Sequence, residues 1–156
     1  MKAVVLHQHG SVDNLTFEPS YREPTVTEGH VVLKVGATSI NYHDVFTCRG
    51  MPGIKVPLPI IPGLDVAGEV AEIGPGVEGW KVGDRVLVNP IHPVKGLMGE
   101  MLDGGMAEYC LASAKQLIRI PEGVTFEQAA SLPVAYGTAH RMMFTNGFVK
   151  AGEKVL

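Results

Sequence analysis

Residues 63–88 read GLDVAGEVAEIGPGVEGWKVGDRVLV, and the reading of their glycine-rich centre decides the fold class. Gly74–Gly79, "GPGVEG", matches G-x-G-x-x-G letter for letter. That motif holds a pyrophosphate only when a helix begins right after the glycines and aims its free N–H groups at the ligand. Here the continuation is "WKVGDRV", which reads as a turn and a strand, and Pro75 has no N–H to offer a phosphate. The stretch is therefore a strand over Asp65–Ile73, a glycine-rich turn, and a strand over Asp84–Val88.

The same texture extends in both directions. Lys2–His7, Leu15–Glu18, Met106–Leu111 and Leu117–Ile120 read as further short strands. His30–Ser39 alternates, which puts Val31, Leu33, Val35 and Ala37 on one face of a half-buried strand. After it, Tyr42–Cys48 suits a helix of one to two turns, with Tyr42, Val45 and Phe46 at helical spacing. Four prolines fall within residues 52–62, which makes that segment an extended, irregular connection. Residues 89–105, NPIHPVKGLMGEMLDGG, show no periodicity and read as a long surface loop. The pattern changes after Pro121. Thr125 with Gln128 three positions on is a capping box that opens a helix over Phe126–Leu132. A second helix follows Pro133, with Val134, Ala135, Thr138, Ala139, Met142 and Met143 on one stripe and Asn146-Gly147 as its stop. Lys154-Val155-Leu156 resembles the opening of another strand with nothing to pair to, so a fragment of a longer chain is expected.

Composition limits the classes. The chain has 156 residues, 46% hydrophobic and 19% charged, with a net charge of −3. That is one ordinary globular domain, or one domain and the opening of another. Nothing in this balance calls for nucleic acid, and no run of apolar residues is long enough to span a membrane. Two cysteines, Cys48 and Cys110, make neither a disulfide framework nor a zinc cage, so a reducing cytoplasm is the default. Glycine accounts for 19 residues, roughly 12% against about 7% in average proteins, which favours short strands joined by tight turns.

The run 63–88, and "EIGPGVEGWKVGDRV" above all, resembles the amino-terminal GroES-like catalytic domain of the medium-chain dehydrogenase/reductase superfamily. "MKAVVL", "GGMAEYCLASAKQLIRIPEGVTFEQAASLP" (104–133) and "AGEKVL" agree with that family in order. The resemblance implies a mainly β fold with a few helices: a GroES-like, partly open β-barrel over 1–122, connecting helices over 123–149, and at 150–156 the first strand of a truncated Rossmann cofactor domain. It further implies NADPH or NADH as cofactor, held mainly by that absent domain, and a parent enzyme that is a homodimer.

The candidate site is "INYHDVFTCRG", residues 40–50. In zinc-dependent members a catalytic zinc takes ligands at three places that match Asn41, Leu64 and Val134, with Asp65 in place of a glutamate. None of the three is a normal zinc ligand, and residues 89–105 lack the cysteines of the family's structural zinc lobe, so no metal is expected. Cys48 as a nucleophile needs an activating partner. His43, five residues away on a short helix, is poorly placed, and a small buried packing residue is the better reading. Asn41 and Asp44 are spaced as a near capping box, which needs no chemistry. The resemblance adds another role, because this helix start faces the nicotinamide in the family and zinc-free quinone-reductase-like members carry Asn at this place.

On that reading Asn41 positions the cofactor, His43 and Tyr42 supply hydrogen-bond donors or a proton, and Asp44 fixes the helix start. Thr138 matches a family threonine near the nicotinamide, or it simply packs beside Ala135 and Met142. Tyr136 aims a hydroxyl into the cleft or packs. Met51 and Pro52 stand where enoyl-thioester reductases place their tyrosine, which counts against that subgroup. Met98, Met101 and Met106 either line an apolar substrate mouth or belong to a flexible surface or subunit contact, the second being preferred. The expected function is the catalytic half of a zinc-independent NAD(P)H-dependent oxidoreductase that reduces a small apolar carbonyl compound: a quinone, enone or alkenal. The rivals are an alcohol dehydrogenase, a GroES-like oligomerisation module, and a scaffold that has kept the fold without activity.

Overall fold

The computed structural model describes residues 1–155. Twelve elements follow the chain: β1 (Ala3–Leu6), β2 (Leu15–Glu18), β3 (His30–Ser39), α1 (Tyr42–Arg49), β4 (Asp65–Ile73), β5 (Arg85–Val88), β6 (Ile91–His92), β7 (Gly96–Leu97), β8 (Tyr109–Ser113), β9 (Leu117–Arg119), α2 (Phe126–Ala130) and α3 (Pro133–His140). Five strands form an antiparallel sheet in the order β8-β3-β4-β5-β9. β1 pairs with β2 and reaches the end of the large sheet, with the Val4 N–H donating to Met106 O and the Glu108 N–H to Lys2 O. The fold is mainly β, with open sheets around one main apolar core and three smaller apolar clusters among the described residues.

That core is built by the alternation of the strands. Val31 and Leu33 from β3, Val66 and Val70 from β4, and Val86 and Val88 from β5 meet with Met98, Cys110 and Ala112. Each of the valine, leucine and methionine side chains contributes about 1.5–3 kcal/mol when fully buried. β3 departs from strict alternation. Its pairing with β4 shifts register between Val32 and Leu33 and between Val35 and Ala37, and Val32 is buried as well. Such irregularities bend a strand, as a curled sheet requires.

The turn over Gly74–Gly79 lies between β4 and β5 and leads to no helix. Its first glycine is needed for packing. A Cβ on Gly74 would overlap the carbonyl oxygens of Thr27 and His30, and the Gly29 N–H donates to Pro75 O at 2.8 Å. The fingerprint is a coincidence of spelling.

Residues 89–105 correct the expectation of a surface loop. β6 and β7 form a small hairpin. Beyond it Met98 is fully buried in the core and Glu100 is buried too, while Gly99 lies so close to the Gly63 backbone that a Cβ would sit 2.8 Å from its nitrogen. Apolar anchors and hydrogen-bonded turns occur here without periodicity, so the pattern gave no sign of them. α1 buries a largely polar side. Asp44, Thr47 and Cys48 are its buried residues, whereas Tyr42 and Phe46 stack edge to face on the outside, their ring centroids 5.0 Å apart.

At the carboxyl side the Thr125–Gln128 capping box forms as spelled. Pro133 occupies the first turn of α3, where its missing N–H costs nothing, and a π-helical turn over Arg141–Asn146 continues it to Gly147. Residues 150–155 are turn and coil, and the last residue of the expected strand, Leu156, lies outside the described residues. No helix among the described residues is long and apolar enough to cross a membrane.

Candidate functional site

The site is organised by Asp65, at the first position of β4 and fully buried. One carboxylate oxygen accepts from Ser39 Oγ at 2.7 Å and from Asn41 Nδ2 at 2.9 Å, while the other accepts from the Val134 N–H at 3.1 Å. A buried carboxylate is tolerated when donors surround it. Here the donors come from the end of β3, the entry of α1 and the start of α3, so a single side chain ties three segments together.

Asp44 performs a similar task one turn away. Its carboxylate accepts from the Asn41 N–H at 2.7 Å, the bond by which the third helical residue of a capping box reaches back to the cap, and from the Gly63 N–H at 3.0 Å. Burial pushes the Asp44 carboxyl above the usual carboxylate range, against the pull of those two backbone donors. The sequence reading of Asn41 and Asp44 as a structured helix start is what the hydrogen bonds describe, with Asn41 extending its amide to Asp65.

A cleft of about 450 Å³ opens between α1 and α3. Its walls include Leu64, Pro90, Ile91, Leu97 and Val134, and its polar members include His43, Asn89, Thr138 and Arg141. Apolar walls with a few convergent polar groups are the usual character of a small-molecule site. Of the residues singled out in the sequence, His43 and Thr138 stand on this cleft, and Asn41 and Asp44 hold its rim from behind. Tyr42 is 70% exposed on the outer face of α1 and Tyr136 is 64% exposed on α3, and neither lines the cleft. Met98 and Met106 do not line it either, since Met98 belongs to the core and Met106 packs beside Ala3, Val5 and Ile61.

Two members escaped sequence reasoning. Asp65 was seen as a substitute for a glutamate and not as a hub, although a charged residue opening the apolar strand DVAGEV was a usable signal. Glu100 was passed over inside the supposed surface loop. Its Oε2 lies 2.6 Å from His43 Nε2, with the carboxylate side chain 8% exposed and the imidazole 26% exposed.

The three positions that the family resemblance assigned to zinc ligands do gather here. Asn41 and Val134 both donate to Asp65, and Leu64 precedes it. As a donor set they do not fit the metal, because Leu64 and Val134 carry no donor side chain and the Asn41 amide is committed to Asp65. Cys48 is buried, its Sγ 3.4 Å from Ser11 O, and burial raises its pKa. Burial pushes the Cys110 thiol up to about 12. Neither thiol has the electropositive, accessible surroundings of a nucleophile.

With this geometry in place, residues 27–122 match the model of the alcohol dehydrogenase GroES-like domain. The chain belongs to that family. Its fold is that of the GroES-like domain of medium-chain dehydrogenases/reductases. The chain is 37% identical over its whole length to the NADPH-dependent alkenal/one oxidoreductase of Arabidopsis thaliana chloroplasts, covering 40% of that protein. To the human quinone oxidoreductase it is 32% identical, again over its whole length, covering 44% of that protein. An NAD-dependent alcohol dehydrogenase of known structure superposes with a TM-score of 0.90 at 30% identity, over 98% of this chain and 49% of the other. The GroES-like chain thus spans less than half the length of these relatives.

Proposed function

We propose that this chain forms the substrate-side wall of a zinc-independent, NADPH-dependent reductase acting on quinones, enones or alkenals. The observation that carries the reading is the cleft itself. His43 stands on it, while Leu64 and Val134 occupy two of the positions where a metal-dependent relative needs donors. A nicotinamide cofactor, when bound, supplies the hydride. The apolar walls suit the flat face of such a ring and the conjugated carbon skeleton of the acceptor. The resemblance of sequence to an NADPH-dependent alkenal/one oxidoreductase and to quinone oxidoreductases supports the same chemistry.

The chain's own residues divide the remaining work. Thr138, on the cleft wall, and Asn41, through the helix entry it ties to Asp65, position the nicotinamide end. His43 donates to the oxygen on which negative charge grows as the conjugated carbonyl is reduced, and then yields its proton to it. Asp44 keeps the entry of α1 in place and takes no part in proton transfer. Tyr42 and Tyr136, both on outer faces, are given no chemical step. Pyrophosphate binding is assigned to the Rossmann portion of the enzyme, since GPGVEG opens no helix. The 156-residue chain is accordingly expected to have no turnover by itself, and the whole enzyme is expected to be a cytoplasmic homodimer.

The test joins this chain to its cofactor-binding portion and follows NADPH oxidation with benzoquinone, an alkenal and an enone, each with and without a chelator. NADP-linked oxidation of a secondary alcohol is run beside them. Chelator-insensitive reduction of the conjugated acceptors is expected. Chelator-sensitive alcohol oxidation as the main activity overturns the reading in favour of an alcohol dehydrogenase. Calorimetric titration of the 156-residue chain with NADPH should show no binding in the micromolar range.

A further inference from the structure

We propose that Glu100 is the positioning residue of His43, and that the two form a carboxylate–imidazole dyad in which the cleft is served from Nδ1 of the ring. This rests on His43 being the proton donor of the reaction proposed above.

The two side chains come from segments 57 residues apart, with Nε2 and Oε2 2.6 Å from each other. An ionised carboxylate only accepts hydrogen bonds, so Nε2 carries the proton that points at Glu100. One tautomer is thereby selected, and Nδ1 becomes the ring nitrogen left for the cleft that His43 lines. A bare Nδ1 cannot donate. The donor is therefore the imidazolium, in which both ring nitrogens carry a proton. In the step itself the proton leaves Nδ1 for the developing enolate or hydroquinone oxygen. The ring falls back to the neutral Nε2–H form with no rearrangement, and water returns a proton to the same Nδ1. Charge and proton balance at every stage, and the carboxylate is never protonated.

A purely structural ion pair is the competing description. Replacing a buried pair with apolar side chains of similar size often costs nothing, so burial alone is a poor reason for the pair. Its placement is more informative. Glu100 is 8% exposed and His43 26% exposed, which makes the pair a link from interior to cleft wall. The molecule also carries an internal control. His7 Nε2 and Glu18 Oε1 approach to 2.5 Å, but with side chains 49% and 29% exposed beside the small β1–β2 sheet, where such pairs are worth little.

The backbone around Glu100 is held to the same frame as His43. The Gly99 N–H donates to Leu102 O and the Met98 N–H to Pro90 O, while Gly104 and Gly105 donate to Ile61 O and Gly63 O. A Cβ on Gly104 would overlap the carbonyl oxygens of Gly63 and Pro62. Gly63 is also the residue whose N–H is gripped by Asp44 of α1. From α1 through Asp44 to Gly63, across to the loop and back through Glu100 to His43, the contacts close a circuit. Precise orientation of an acid demands such support.

The test labels histidine with ¹⁵N and reads the two ring nitrogens of His43 in the 156-residue chain, with His43→Gln for assignment. In the neutral ring an Nε2–H tautomer in at least about tenfold excess is expected, as one retained hydrogen bond to a charged group implies. Glu100→Gln, whose amide donates as well as accepts, should reduce that excess at least about fivefold. In the cofactor-complete enzyme Glu100→Gln should lower kcat roughly 10–100-fold, the range for losing a carboxylate that orients a metal-bound histidine, with KM little changed. Adding it to His43→Gln should cost nothing more, and Glu18→Gln should leave turnover unchanged. An Nδ1–H tautomer in the wild-type chain, an unchanged ratio in Glu100→Gln, or the full Glu100 effect persisting without His43 overturns the dyad. Unimpaired turnover in His43→Gln instead overturns the proton-donor reading, even where the tautomer result stands.

Discussion

The entry of α1 and the start of α3 face each other across one cleft, yet they are held in opposite ways. At α1, Asn41 and Asp44 are fixed by hydrogen bonds to β4 and to Gly63, with Thr47 and Cys48 buried behind them. At α3, none of the described residues is buried, either in the helix or in the π-helical turn after it, and Tyr136, Met142, Phe144 and Phe148 are exposed. The tie recorded between α3 and the body at its first turn is the Val134 N–H on Asp65. A functional wall need not be stabilised by its own core. One wall is set by buried polar groups with defined partners, and the other hangs on one carboxylate that both walls share.

The largest expected effect breaks that shared joint. Asp65→Ala leaves Ser39, Asn41 and Val134 without their acceptor, and a loss of about 3–5 kcal/mol is expected from a urea unfolding curve. A loss below about 1 kcal/mol would remove Asp65 from the centre of the comparison. Asp44→Ala strips the cap from α1 and the acceptor from Gly63. About 2 kcal/mol should be lost, with faster hydrogen exchange at the α1 amides and little change at α3.

Acid should act on a third part of the molecule, the β6–β7 hairpin beside the cleft. The Val94 and Lys95 N–H groups donate to His92 Nδ1, and His30 Nδ1 lies 2.7 Å from Glu28 O. His92 therefore carries its proton on Nε2 and directs it at the bare His30 Nε2, 3.4 Å away. Burial, with His30 and Lys95 nearby, holds the His92 pKa below its ordinary value. The folded state thus binds fewer protons than the unfolded one over this range. Stability is full above the ordinary histidine pKa of about 6.5 and declines as pH falls from there toward the depressed folded value. His92→Asn, which keeps an acceptor for the loop, should flatten that decline, as read by urea midpoints across the window. The smallest effect belongs to the exposed wall: Phe144→Ser should change stability by no more than about 0.5 kcal/mol, and a larger loss would mean that α3 is held by more than Asp65.

How much of this was legible depended on how local the cause was. β2, β3 and β4 begin and end where alternation and apolar content say they do, and the Thr125–Gln128 cap is spelled out in four residues. β8 lies later than expected, at Tyr109–Ser113, because its pairing with β3 decides where it runs. The helical spacing of Tyr42, Val45 and Phe46 located α1 but did not mark its buried side. In the fold the buried side is polar, with Asp44 and Thr47 beside Cys48. Glu100 and Asp65 acquire their meaning from partners 24 to 69 residues away, and no window along the chain contains that information.

The two buried thiols have a practical consequence. Cys48 and Cys110 are both withdrawn from solvent, and Cys110 is held as a neutral thiol to about 12. The chain therefore offers a quiet background for a cysteine introduced on purpose. One placed on the exposed side of α1 and another on α3 would take up probes selectively. The distance between the two walls of the cleft could then be followed in solution as cofactor and acceptor are added.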